Sequence, residues 1–191
     1  MFNKLVLTSA FALALAVPAM AQDSATQAGA GAVGGDSALA VFTNAEGTEI
    51  GSVTLTPNED GSVTLAGGLR DITSGEHGLH FHQTGKCDAS TSFKSAGSHF
   101  NPTDMQHGLE NADGPHAGDL PNVTAAEDGT VTVNLDTDRI SLTPGGEGYV
   151  FDDDGTALVI HAGRDDQQTD PSGDSGDRVA CAVIEPGAAV E

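Results

Sequence analysis

The sequence predicts an all-β domain, a sandwich or barrel of short strands. Three observations predict it: apolar residues recur with a period of two, the alternating runs are short, and turn residues separate them. Ala38-Leu-Ala-Val-Phe-Thr43 opens the first strand. Residues 50–56 alternate, which places Ile50, Ser52, Thr54 and Thr56 on one face and Val53 and Leu55 on the other. Val63-Thr-Leu65 continues the pattern after a turn at Asp60-Gly61, and Val131-Thr-Val-Asn-Leu135 does so after Asp128-Gly129. Ala157-Leu-Val-Ile160 and Val179-Ala-Cys-Ala-Val-Ile184 are the late strands. Further turn signals stand at Glu46-Gly47, Pro144-Gly-Gly146 and Asp154-Gly155. With Trp absent, the core is built mainly from Val, Leu, Ile and Ala.

Two stretches interrupt this pattern. Residues 83–121 are polar and Gly-rich and carry three of the seven histidines. Residues 162–177 are rich in Gly and Asp, with no apolar run. Long loops inside a compact domain are usually functional. The strands serve as scaffold, and the chemistry is expected between the loops.

Residues 1–21 read as a secretory signal peptide. Lys4 supplies the positive start, residues 5–17 the apolar run, and Ala19-Met-Ala21 a small-x-small cleavage site. Residues 22–36, mostly Ala, Gly, Gln and Ser, read as a flexible linker. One domain is expected over residues 37–186. The leader implies an exported protein, periplasmic or secreted, and no second apolar run supplies a membrane anchor. The formal net charge is −21 at pH 7. So acidic a chain is a poor ligand for nucleic acid or anionic membrane. Asn122-Val-Thr124 matches a glycosylation sequon, read here as carrying no glycan. Export permits a disulfide between Cys87 and Cys181. Free thiols or soft metal ligands are the other options for these residues.

The histidine pattern carries the function. Residues two apart on a strand share a face, so His80 and His82 project side by side, as two ligands of one ion must. His77 has the opposite parity and reads as a supporting or structural residue. His161 closes a strand pattern, so a neighbouring strand can bring it beside the pair. A second cluster lies in one loop: His99, His107, His116 and Asp119. Three imidazoles and a carboxylate suit tetrahedral zinc with no open position. Copper tolerates a flattened set of four imidazoles. His80, His82 and His161 then need one more, and the histidine count closes if one imidazole serves both metals.

The segment Gly75 to His82, with His99, His107, His116, Asp119, His161, both cysteines and Gly176-Asp-Arg-Val-Ala-Cys181, resembles the copper–zinc superoxide dismutases over roughly residues 38–184. The resemblance implies a Greek-key β-barrel of about eight antiparallel strands with two long functional loops. It implies copper on His80, His82, His99 and His161. It implies zinc on His99, His107, His116 and Asp119, with His99 bridging. It also implies a Cys87–Cys181 disulfide, and Asp165 linking one copper and one zinc histidine. Arg178 takes the role of the arginine that attracts superoxide, and the activity implied is dismutation of superoxide to oxygen and hydrogen peroxide. A copper- or zinc-binding module for metal storage or delivery is the rival reading. Homodimer and monomer are both compatible with the chain. The sequence departs from the family in residues 162–177, where five aspartates oppose Arg164.

Overall fold

A computed structural model describes residues 37–187. The expected leader and linker, residues 1–36, lie outside the described residues. Nine strands form one antiparallel sheet: β1 Ala38–Asn44, β2 Glu49–Pro57, β3 Val63–Leu69, β4 Gly75–His77, β5 Leu79–His82, β6 Val123–Ala125, β7 Val131–Thr137, β8 Ala157–His161 and β9 Arg178–Pro186. Their order across the sheet is β4-β6-β7-β3-β2-β1-β9-β8-β5. The two outermost strands, β4 and β5, are consecutive in the chain and separated by Gly78 alone, so the sheet curls into a nearly closed barrel. Gly78 N donates to Gly163 O at 2.9 Å, and His161 N donates to Gly78 O at 2.9 Å. A Cβ on Gly78 would lie 2.9 Å from His80 Cε1, so the junction has room only for glycine. Among the described residues, helix is confined to two short 3-10 turns, Ala89–Thr91 and Lys94–Ala96.

Strand alternation sorts the side chains into two layers. Leu79 and Phe81 of β5, with Leu158 and Ile160 of β8, enter the main core beside Phe42, Leu55, Leu65 and Val133. Burying each large apolar side chain stabilises the fold by roughly 1.5–3 kcal/mol. Ala157 and Val159 face the other way and pack with Phe93, Ala96 and Cys181 under the long loop. His80, His82 and His161 share the parity of this second face. They lie outside the barrel core yet buried, because the loop covers them.

One expectation about facing needs correction. Ile50 is buried at 1 % exposure, on the side of Val53 and Leu55. The ladder between β1 and β2 shifts register between Phe42 and Thr43, so the alternation restarts there. Gly51, at φ 140°, sits at this irregularity, and a Cβ on it would lie 2.1 Å from Gly68 O. A bulge of this kind leaves little trace in a period-two count.

Candidate metal centre

Two elements and two loops build the site. β5 contributes His80 and His82, and β8 contributes His161. The loop between β5 and β6 contributes His99, His107, His116 and Asp119, and the loop between β8 and β9 contributes Asp165. Two four-residue groups result, each with ligand atoms within 4.8 Å of one another: His80, His82, His99, His161, and His99, His107, His116, Asp119. All of these residues are buried, and His99 belongs to both groups.

Hydrogen bonds set which ring nitrogen of each histidine keeps its lone pair. His82 Nδ1 donates to Gly97 O at 3.0 Å, and His161 Nδ1 to Gly176 O at 3.2 Å. Their Nε2 atoms then face each other at 3.4 Å. His80 Nε2 donates to Asp165 Oδ2 at 2.6 Å, which leaves His80 Nδ1 buried without a partner. His99 Nε2 is likewise buried and unpartnered. Four imidazole nitrogens thus converge with no proton donor among them. Buried polar atoms are rarely left unmatched, so a cation fits this set. Burial, and then the neighbouring rings, push His99 down to about 4 and His161 down to about 3. Burial lowers His80 and His82 as well. The rings are therefore neutral at pH 7, the form that binds metal.

The second group is organised around one oxygen. His99 Nδ1 and His107 Nδ1 lie 2.9 and 3.0 Å from Asp119 Oδ1. His116 Nδ1 is 3.3 Å from the same oxygen without forming a hydrogen bond. Asp119 Oδ2 accepts from Gly108 N at 2.8 Å and His116 N at 3.0 Å. Burial alone would raise the Asp119 carboxyl, but these donors hold it far below the usual carboxylate range. His107 faces a carboxylate from each ring nitrogen, since Nε2 lies 3.0 Å from Asp165 Oδ1. Burial opposes protonation there, yet Asp119 and Asp165 together raise His107 to about 9. A positive charge belongs between His107 Nδ1 and Asp119, either a proton or a metal ion. Three nitrogens and one carboxylate oxygen are a tetrahedral zinc-type donor set.

Asp165 joins the two groups by accepting from His80 and His107, and it is fully buried. Its own backbone is clamped by Asn122, whose Nδ2 donates to Asp165 O at 2.8 Å and whose Oδ1 accepts from Asp165 N at 2.8 Å. Gln167 N donates to Asp165 Oδ1 at 2.6 Å. Asp170 Oδ1 accepts from His107 N at 2.8 Å. The aspartates of this loop therefore include two that turn toward the histidines. Arg178, half-buried, is locked by donation from Nη1 to Phe93 O and from Nη2 to Gly97 O, both at 2.6 Å. Its charge is near enough to add to the depression of His82 and His161 that burial causes. Cys87 and Cys181 form a disulfide, Cα–Cα 5.6 Å, that ties the loop between β5 and β6 to β9.

His77 lies outside both groups. It is buried, with Nδ1 2.7 Å from His161 O and Nε2 2.7 Å from Thr73 O. Asn122, Gln167 and Asp170 were not legible as supporting residues. Asn122 shows in the sequence only as part of the sequon, and its partner is 43 positions away.

The profile described as "Copper/zinc superoxide dismutase (SODC)" matches residues 49–184. The chain is 40 % identical over 141 residues to "Superoxide dismutase [Cu-Zn] 1" of Aquifex aeolicus, covering 74 % of this chain and 83 % of that one. It is 43 % identical over 150 residues to "Superoxide dismutase [Cu-Zn]" of Caulobacter vibrioides, covering 78 % and 85 %. The crystal structure of a double mutant of a SOD-like protein from Bacillus subtilis superposes with a TM-score of 0.74 at 35 % identity, covering 80 % of this chain and 97 % of that chain. With the family profile spanning most of the barrel and both histidine groups, this chain belongs to the copper/zinc superoxide dismutase family.

Proposed function

We propose that this chain dismutes superoxide to oxygen and hydrogen peroxide, with copper on His80, His82, His99 and His161 and zinc on His99, His107, His116 and Asp119. The observation that carries this reading is the shared ring of His99. Its Nε2 is left open toward one group, and its Nδ1 lies against Asp119 in the other. Copper held by the first group would supply one-electron chemistry, oxidising one superoxide and reducing the next, and zinc held by the second would keep His99 positioned.

The protein's own groups do the rest. His99 Nε2, buried and without a partner, would be the nitrogen able to hold one proton for the peroxide, the second coming from water. Its Nδ1, held beside Asp119, would keep the ring in one place. Asp165 holds His80 and His107 in the Nε2–H form, with both Nδ1 lone pairs aimed inward. Arg178, with two of its nitrogens tied to carbonyls, presents a fixed positive charge to an incoming anion. The disulfide keeps the loop bearing Phe93 and Gly97 against β9, and so keeps Arg178 in place. Export through the leader at residues 1–21 belongs to this reading, since a disulfide persists in an oxidising compartment.

The test is metal content and dismutation rate of the purified protein beside His161→Ala. The expected result is one copper and one zinc per active chain, with activity lost and zinc kept in the variant. A fully loaded but inactive parent would support metal storage or delivery instead. A His161→Ala protein that lost zinc and kept copper would refute the assignment of the two groups.

A further inference from the structure

The loop that supplies Asp119 is held from outside by a charged side chain that the metal chemistry does not use. Arg139 stands just beyond β7. Its Nη2 donates to the main-chain carbonyl of Asp119 at 2.8 Å. Its other nitrogens are poorly matched. Nη1 lies 3.6 Å from Asp138, a side chain that is 82 % exposed, and Nε is buried with no hydrogen-bond partner. A buried donor without an acceptor carries a free-energy cost, and an exposed ion pair contributes little. The guanidinium is therefore not placed here for its own stability.

The local backbone fixes it in position. Arg139 N donates to Thr137 Oγ1 at 3.3 Å. Its carbonyl packs against Gly148, where a Cβ would lie 2.3 Å away. The side chain lines a cavity of about 280 Å³ with Pro115 and Ala117, the two neighbours of His116. It thus meets the main chain of Asp119 and the segment around His116 together.

We infer that Arg139 is a positioning residue for the zinc half of the centre, acting through the Asp119 carbonyl; this rests on the zinc assignment proposed above. Fixing that carbonyl fixes the peptide plane beside Asp119, and with it the direction from which the carboxylate enters. Oδ1 must stay within reach of three imidazole nitrogens at once, so a small backbone drift separates it from all of them.

The experiment uses the full purified chain, with Arg139→Gln, Arg139→Lys and His116→Ala compared to the parent. Zinc affinity is read by competition with a chromogenic chelator, and site geometry by the visible spectrum of Co(II) loaded in place of zinc. Arg139→Gln is expected to weaken zinc by about tenfold or more, the usual effect of losing an outer partner, and to shift the Co(II) bands. Arg139→Lys, which keeps one charged donor, is expected to recover most of both. Zinc affinity within about twofold of the parent and an unchanged Co(II) spectrum in Arg139→Gln would overturn the inference. That outcome stands even if thermal stability falls, because it assigns Arg139 to stability alone. If His116→Ala also held zinc as tightly as the parent, the zinc assignment itself would fail and the inference with it.

Discussion

Replacing Asp165 with asparagine changes one atom pair between the two metal groups, and the outcome follows from the distances. The carboxylate accepts from His80 Nε2 at 2.6 Å and from His107 Nε2 at 3.0 Å. An amide offers one accepting oxygen and one donating NH2. The oxygen stays at the Oδ1 position, where both His107 Nε2 and the backbone N–H of Gln167 donate. The NH2 group then faces His80 Nε2, which must become an acceptor. The ring proton of His80 moves to Nδ1, the atom otherwise open toward the proposed copper set. Losing a charge-assisted hydrogen bond costs about 1.5–3 kcal/mol. That corresponds to roughly 10- to 100-fold in affinity, the range seen when a metal ligand loses its outer partner. Asp165→Asn should therefore weaken copper by about that factor and zinc by less. Metal content after dialysis and chelator competition give the answer. A copper affinity within about twofold of the parent would refute the claim that Asp165 sets the His80 tautomer.

Two further outcomes are expected. Cys181→Ser opens a loop of 94 residues and should lower stability by about 2–5 kcal/mol in urea titration; a loss below about 1 kcal/mol would show that the bridge constrains little. Arg178→Glu should slow dismutation by about tenfold or more, while the parent rate falls only modestly with salt, because distant carboxylates are screened over about 8 Å and the local charge is not. Stopped-flow rates across ionic strength decide this, and a parent rate that climbs with salt would mean that the global negative field controls access.

The features that could be read directly from the sequence share a cause. Alternation in β2, β3, β7, β8 and β9 is local, and so is the parity that puts His80 and His82 on one face. The histidine types and order carried the family resemblance, and with it a disulfide pairing that spacing alone leaves open. What stayed hidden was non-local or without a period. The bulge between β1 and β2 reverses the facing of Ile50 through strand pairing, which a local pattern does not carry. Asn122 and Arg139 act through main-chain atoms of Asp165 and Asp119, and a backbone carbonyl has no letter in a sequence. In the sequence the acidic loop shows only as five aspartates opposing Arg164, a departure from the family. Asp165 and Asp170 instead face histidines, a direction that composition does not encode.

β5 is an outer strand of the sheet, and an uncovered outer strand invites pairing with another chain. Here the long loop covers it. His82 bridges to His99 and His80 to Asp119 in isolated antiparallel pairings. Phe81 N donates to Gly118 O at 2.9 Å, and Phe100 N donates to Phe81 O at 2.8 Å. The residues that shield the strand are drawn from the same stretch as the proposed ligands. On the proposed assignment, removing the ions is expected to loosen the guard as well as the chemistry. The strand it exposes, Leu79-His-Phe-His82, contains no Lys and no Pro to discourage a second strand. On the proposed assignment, loss of the metals is expected to leave this strand open to a second copy of the chain.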